Sequence, residues 1–304
     1  VKARQVARRG LGRRRSTVGL DARDTIPSVS AVSRIRRFPQ RRSARPPSGF
    51  PLAARALATL ALAAAPALAW SPTTQETIAH EAARLAPPDL ARQLLRHAAD
   101  LTAGATEPFH EADAARHYRN EDGSGSVDAT LDAEVAQAVA AIRAHRPFTE
   151  VARRLGRVSH WASDLDNPLN ASSADREEPR YFRDFLDYVD SARPRFAVVV
   201  YEWQPPLATA ADVETLARDA LARGRRLYPF IGLEYRRIGF GSGRALFDDR
   251  STAFGLAALA YSHAVTDAAR LFRYVWLAAG GTDPRPVFAR PRDRVLVLDQ
   301  GGVP

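Results

Sequence analysis

His160 and Asp164 are the pair whose types and spacing point first to chemistry. They lie in the run Arg154-Leu155-Gly156-Arg157-Val158-Ser159-His160-Trp161-Ala162-Ser163-Asp164-Leu165-Asp166-Asn167-Pro168-Leu169. On a helix, residues four apart share a face, so an imidazole nitrogen and a carboxylate oxygen can converge on one cation. The same spacing serves an intrahelical His–Asp hydrogen bond, and spacing alone does not choose between them. The chain has no cysteine, which excludes disulfides and thiolate metal sites together. Any metal must therefore sit on His, Asp, Glu or backbone groups. The seven histidines are His80, His97, His110, His117, His145, His160 and His263, and His263 stands four residues before Asp267. That second pair, with Trp161, Trp203 and Trp276, reads as packing.

The elements that must position these residues read as helices throughout. Residues 73–86 and 88–102 are Ala/Leu-rich and separated by Pro87-Pro88, where a fixed φ and missing amide protons interrupt the helical ladder. A polar loop over 120–126 leads to a periodic helix from about 128 to 145. From Phe148 to Leu165 the apolar residues Phe148, Val151, Ala152, Leu155, Val158 and Ala162 recur at three- and four-residue intervals, one buried helical face that Pro168 is expected to end. Further helices are expected at 179–191, 211–228 and 252–279. The β-branched stretch Phe196–Tyr201 reads as a short strand or a buried linker. The fold class is all-α, one multi-helix domain over 70–282 followed by an extension over 283–304.

Charge divides the chain at residue 69. The net charge of +10 suggests a polyanion partner, but the first 69 residues hold fifteen Lys/Arg and two Asp, leaving 29 basic against 32 acidic residues afterwards. Residues 1–46 are Arg-rich without hydrophobic period and read as a disordered basic extension. Residues 47–69 combine a positive flank, a short apolar run and small residues at Ala67 and Ala69, the three parts of a secretory signal peptide. Cleavage at Ala69-Trp70 would deliver a secreted or periplasmic protein with Trp70 as its first residue.

The motif Leu-Gly-x-x-x-His, three residues, Asp, then Asn-Pro-Leu resembles the core signature of the bacterial zinc-dependent phospholipases C, whose fold is shared with the fungal single-strand-specific zinc nucleases. In that family an N-terminal tryptophan binds zinc through its α-amine and carbonyl, joined by a histidine on the following helix. Trp70, directly after the expected cleavage site, and His80 match those positions. Gly104-Ala105-Thr106-Glu107-Pro108 and Ala115-Arg116-His117-Tyr118 match the carboxylate and histidine of the intervening segment, with Glu107 where the phospholipases have Asp and His110, Glu111 and Asp113 as alternatives. The resemblance thus implies Zn2+ at two sites, one on Glu107, His117, His160 and Asp164, the other on Trp70, His80 and a shared Asp164. Glu107 and Asp164 would be the catalytic carboxylates. It covers residues 70–170 by motif and 171–282 only by helical character.

The family's third zinc is not matched. Asn170 stands where its first histidine is expected, and no histidine occurs between Trp161 and Ser262. Asn170, Asp184 and Asp187 offer oxygen atoms for a harder cation instead. The implied function is zinc-dependent hydrolysis of a phosphodiester by a metal-activated water, phospholipase C-like, on phospholipid with peripheral membrane contact, by a monomer. A single-strand nuclease on the same fold is the second enzyme, less favoured because the chain after residue 69 lacks a basic track for nucleic acid. A non-catalytic metal- or lipid-binding relative is the third outcome.

Overall fold

The computed structural model describes residues 70–201, 206–240, 243–284 and 295–298. The basic extension, the signal segment through Ala69, and Trp203 lie outside the described residues. The architecture is all-α. Among the described residues ten α-helices follow in order: α1 Pro72–Leu85, α2 Pro88–Arg96, α3 Ala98–Thr106, α4 Val127–Arg143, α5 Phe148–Asp166, α6 Pro168–Ala171, α7 Phe182–Ala192, α8 Ala210–Ile238, α9 Gly243–Leu246 and α10 Thr252–Ala278. Two short strands, β1 Val198–Tyr201 and β2 Val295–Leu298, pair antiparallel with Val198 opposite Leu298. Part of the C-terminal extension is therefore tied to the helical domain.

Local chemistry explains the boundaries. Ser71 caps α1 by accepting a hydrogen bond from the Thr74 amide, and Pro72 occupies the first turn, where no amide donor is needed. Thr209 and Asp212 form a reciprocal capping box at the start of α8. Pro168 does not merely end a helix. Asn167 accepts from the Leu169 amide, and Pro168 opens α6. The segment 88–102 breaks at His97, and α8 runs ten residues beyond the expected 228 with Pro229 inside it. Burial of Tyr228, Ile231 and Tyr235 on one side supplies the packing that offsets the proline.

Helix α5 is the axle, packed against α1, α3, α4, α8 and α10. Residues 158–166 are buried on every side. Polar groups there have lost water and require protein partners. The tightest of these contacts is with α3, where two glycines let the backbones meet. A Cβ on Gly104 would lie 1.8 Å from the Arg153 carbonyl oxygen, and one on Gly156 would lie 2.2 Å from that of Leu101.

Candidate metal centre

His117, His160 and Asp164 meet in the interior, and each is at most 2% exposed. Asp164 Oδ2 lies 2.7 Å from His117 Nδ1 and 3.3 Å from His160 Nε2, and the two ring nitrogens are 3.3 Å apart. Two ligands of a tetrahedral zinc at about 2.0–2.1 Å stand roughly 3.3 Å apart, so two of the three edges already have that length. Among the described residues this is the cluster of His, Asp and Glu whose donor atoms are close enough to share an ion.

The rings are aimed by what their other nitrogens touch. His160 Nδ1 lies 2.7 Å from the Ala105 carbonyl oxygen and donates to it, because a carbonyl only accepts. That fixes the tautomer and leaves the Nε2 lone pair facing the cluster. The His117 ring is hydrogen-bonded to the Pro108 carbonyl as well as to Asp164. Ala105 lies in the last turn of α3, and Pro108 belongs to the 3-10 turn Glu107–His110 that continues it, so one segment holds both imidazoles. Trp161 packs on both rings, with centroids 4.7 Å and 4.9 Å away, and Phe109 meets His160 edge-on at 4.9 Å.

Electrostatics fit a carboxylate among imidazoles. Burial alone would raise the Asp164 carboxyl, but His160 and His117 outweigh it and hold it below its ordinary value. Burial alone would lower His117, but its hydrogen bond to Asp164 and that group's charge raise it.

The remaining expected ligands lie elsewhere. Glu107 is 42% exposed and ion-paired with Arg153 at 3.0 Å and Arg157 at 3.8 Å, so two guanidiniums take the carboxylate meant for the metal. Of its alternatives, His110 is exposed, Asp113 caps the turn at Ala114–His117, and Glu111 pairs with Arg116 and Arg157. His80 bonds Thr102 at 2.8 Å on the α3 side and is 28% exposed. The residue α1 sends to the cluster is Gln75, whose Nε2 donates to Asp164 Oδ1 at 3.0 Å. Five residues separate the two, about 140° around a helix, so they cannot face the same ion.

Trp70 is fully buried, and its indole Nε1 donates to the Ser163 carbonyl at 2.8 Å, beside Asp164. Its main-chain nitrogen becomes an amine only if the bond to Ala69 is cut, and Ala69 lies outside the described residues. Asn170 donates from Nδ2 to the Asp164 carbonyl at 3.3 Å, while Asp184 accepts from Tyr235 on α8 at 2.6 Å. Of the residues offered for an oxygen site, Asn170 thus bonds beside the centre and Asp184 bonds α8.

Sequence reasoning missed Gln75, although a polar residue three and four positions before the buried Ile78 and Ala79 was a usable signal. It also missed Arg223, which bridges the buried Asp166 at 2.8 Å and Asp267. Asp267, read as packing with His263, is the anchor of that bridge and also holds Arg270 at 3.0 Å.

No protein-family model and no curated protein matches the chain. The site must be read from its own geometry. No helix among the described residues is long and apolar enough to cross a membrane.

Proposed function

We propose that the protein is a zinc-dependent phosphodiester hydrolase, with His117, His160 and Asp164 as the ligands. The observation that carries this reading is the anchoring of both imidazoles on the carbonyls of Ala105 and Pro108, so that Nε2 of one and Nδ1 of the other converge on a buried carboxylate. Outer-shell hydrogen bonds of this kind fix tautomer and ring direction in metal sites. Two nitrogens and one oxygen suit zinc, and three protein ligands leave a fourth position for water or substrate. A zinc ion bound there supplies a water of lowered pKa and a positive charge against which a phosphoryl oxygen is polarised.

The chain's own residues do the rest. His160 presents its lone pair because Ala105 holds its proton, and Asp164 stays ionised between the imidazoles. Trp161 and Phe109 wall the rings and exclude solvent. The resemblance to the zinc phospholipases C supports a phosphodiester as the bond attacked. The substrate proposed first is phospholipid at a membrane surface, met by a secreted monomer.

The near-complete burial of all three ligands supports a second reading, a metal held for structure or binding without turnover, since closed zinc sites are typically structural. One panel separates the readings. The full chain is assayed on phosphatidylcholine vesicles, single-stranded DNA and bis(p-nitrophenyl) phosphate, with and without chelator, beside His160→Ala. Chelator-sensitive release of phosphorylated head group that His160→Ala abolishes supports the phospholipase, and cleavage confined to DNA supports the nuclease. Zinc retained with no turnover on any substrate favours the second reading.

A further inference from the structure

We infer that this centre is a one-ion site in which Gln75 fixes the oxygen that Asp164 turns to the metal. The inference rests on the assignment of His117, His160 and Asp164 as ligands. A carboxylate that bridges two cations through both of its oxygens gives one oxygen to each. Asp164 Oδ2 faces the two imidazole nitrogens, but Oδ1 is already taken, accepting the Gln75 amide at 3.0 Å.

The direction of that amide is set by its surroundings. An ionised carboxylate only accepts hydrogen bonds, so Gln75 must turn Nε2 toward Asp164 and Oε1 away from it. Oε1 then meets Ser163 Oγ at 2.5 Å, a hydroxyl able to donate. Gln75, Ser163 and Asp164 are all fully buried, so no solvent competes for these bonds. An N–H aimed at Oδ1 occupies one of that oxygen's two lone pairs and sets the positive end of the amide where a second cation would approach. His80, the side chain that would complete a second site with Trp70, faces Thr102 instead.

Gln75 is thus a positioning residue. It satisfies one carboxylate oxygen and turns the other, singly, toward the metal. The centre then belongs with one-ion sites that activate a water, and not with paired-ion sites that clamp both the attacking and leaving oxygens.

The test is cobalt(II) and zinc titration of the metal-stripped chain, both full-length and cut at Ala69-Trp70, against a chromophoric competitor, with far-UV circular dichroism confirming the helical fold of each form and variant. The wild type takes up one equivalent. Gln75→Ala still takes one, with affinity about 10- to 100-fold lower, as loss of an outer-shell partner produces. Ser163→Ala lowers affinity in the same direction by releasing Gln75 Oε1. Two equivalents in the wild type, or unchanged affinity in folded Gln75→Ala, overturns the inference and leaves the ligand set standing. No uptake by the wild type overturns the ligand set itself.

Discussion

His160 Nδ1 and the Ala105 carbonyl oxygen are 2.7 Å apart although they belong to different helices, and two glycines make that possible. Gly104 and Gly156 bring α3 and α5 into backbone contact, which carries the end of α3 to the imidazole. Gly156→Ala puts a methyl 2.2 Å from the Leu101 carbonyl, a position no side chain can relieve. Overpacking of this kind costs about 1–3 kcal/mol, here with the helices pushed apart and the His160 anchor lengthened. Urea unfolding and zinc affinity should both fall in Gly156→Ala. Stability within about 0.5 kcal/mol of wild type, the range of an ordinary surface change, contradicts the close approach.

Much of this was legible beforehand, and the failures have physical causes. The three-and-four spacing from Phe148 to Ala162 placed α5 because a buried face imposes that period. Gly156 was visible as part of a motif, but its role depends on Leu101, whose distance from it no sequence period encodes. His160 and Asp164 were legible because their spacing is local. His117 entered through the resemblance. Glu107 and His80 were misplaced because proximity in sequence to a motif does not say which way a helix turns. Arg153 and Arg157 claim the first, Thr102 the second. Gln75 was passed over because an amide is not a customary ligand, although its place on the Ile78 face marked it as buried.

The Asp166–Arg223–Asp267 bridge joins α5, α8 and α10. Arg223→Met removes the cation that spans both buried carboxylates and leaves Asp267 with Arg270. Breaking a buried pair from one side costs about 3–5 kcal/mol, because the remaining charges have no water to turn to. Chemical denaturation should show a loss near 3 kcal/mol, since the guanidinium keeps some exposure. A loss under about 0.5 kcal/mol means that the bridge is ornamental.

Glu81 on α1 gives the fold a pH dependence separate from the centre. Burial lifts its carboxyl to about 7 from 4.5, against the Tyr261 hydroxyl that donates to it at 3.1 Å. The folded protein therefore keeps a proton that the unfolded chain loses. The associated stability is fully present below about pH 4.5 and is lost as pH rises through about 7. Glu81→Gln has no such proton to lose. Between pH 5 and pH 8 its stability relative to wild type should rise, by at most about 3 kcal/mol. Denaturation midpoints of the two proteins that keep a constant separation across that range would show that Glu81 titrates normally.

The central claim is the membership of the metal centre, and zinc affinity across a small set of variants tests it most directly. Competition titration of the full chain should find tight zinc binding in the wild type and a loss of at least about 100-fold in His117→Ala, His160→Ala and Asp164→Asn, beyond the cost of losing an outer-shell partner. His80→Ala and Glu107→Gln should stay within about two-fold of wild type, because neither side chain reaches the cluster. A wild type that binds no zinc contradicts the account. So does a loss in His80→Ala or Glu107→Gln as large as that in His160→Ala.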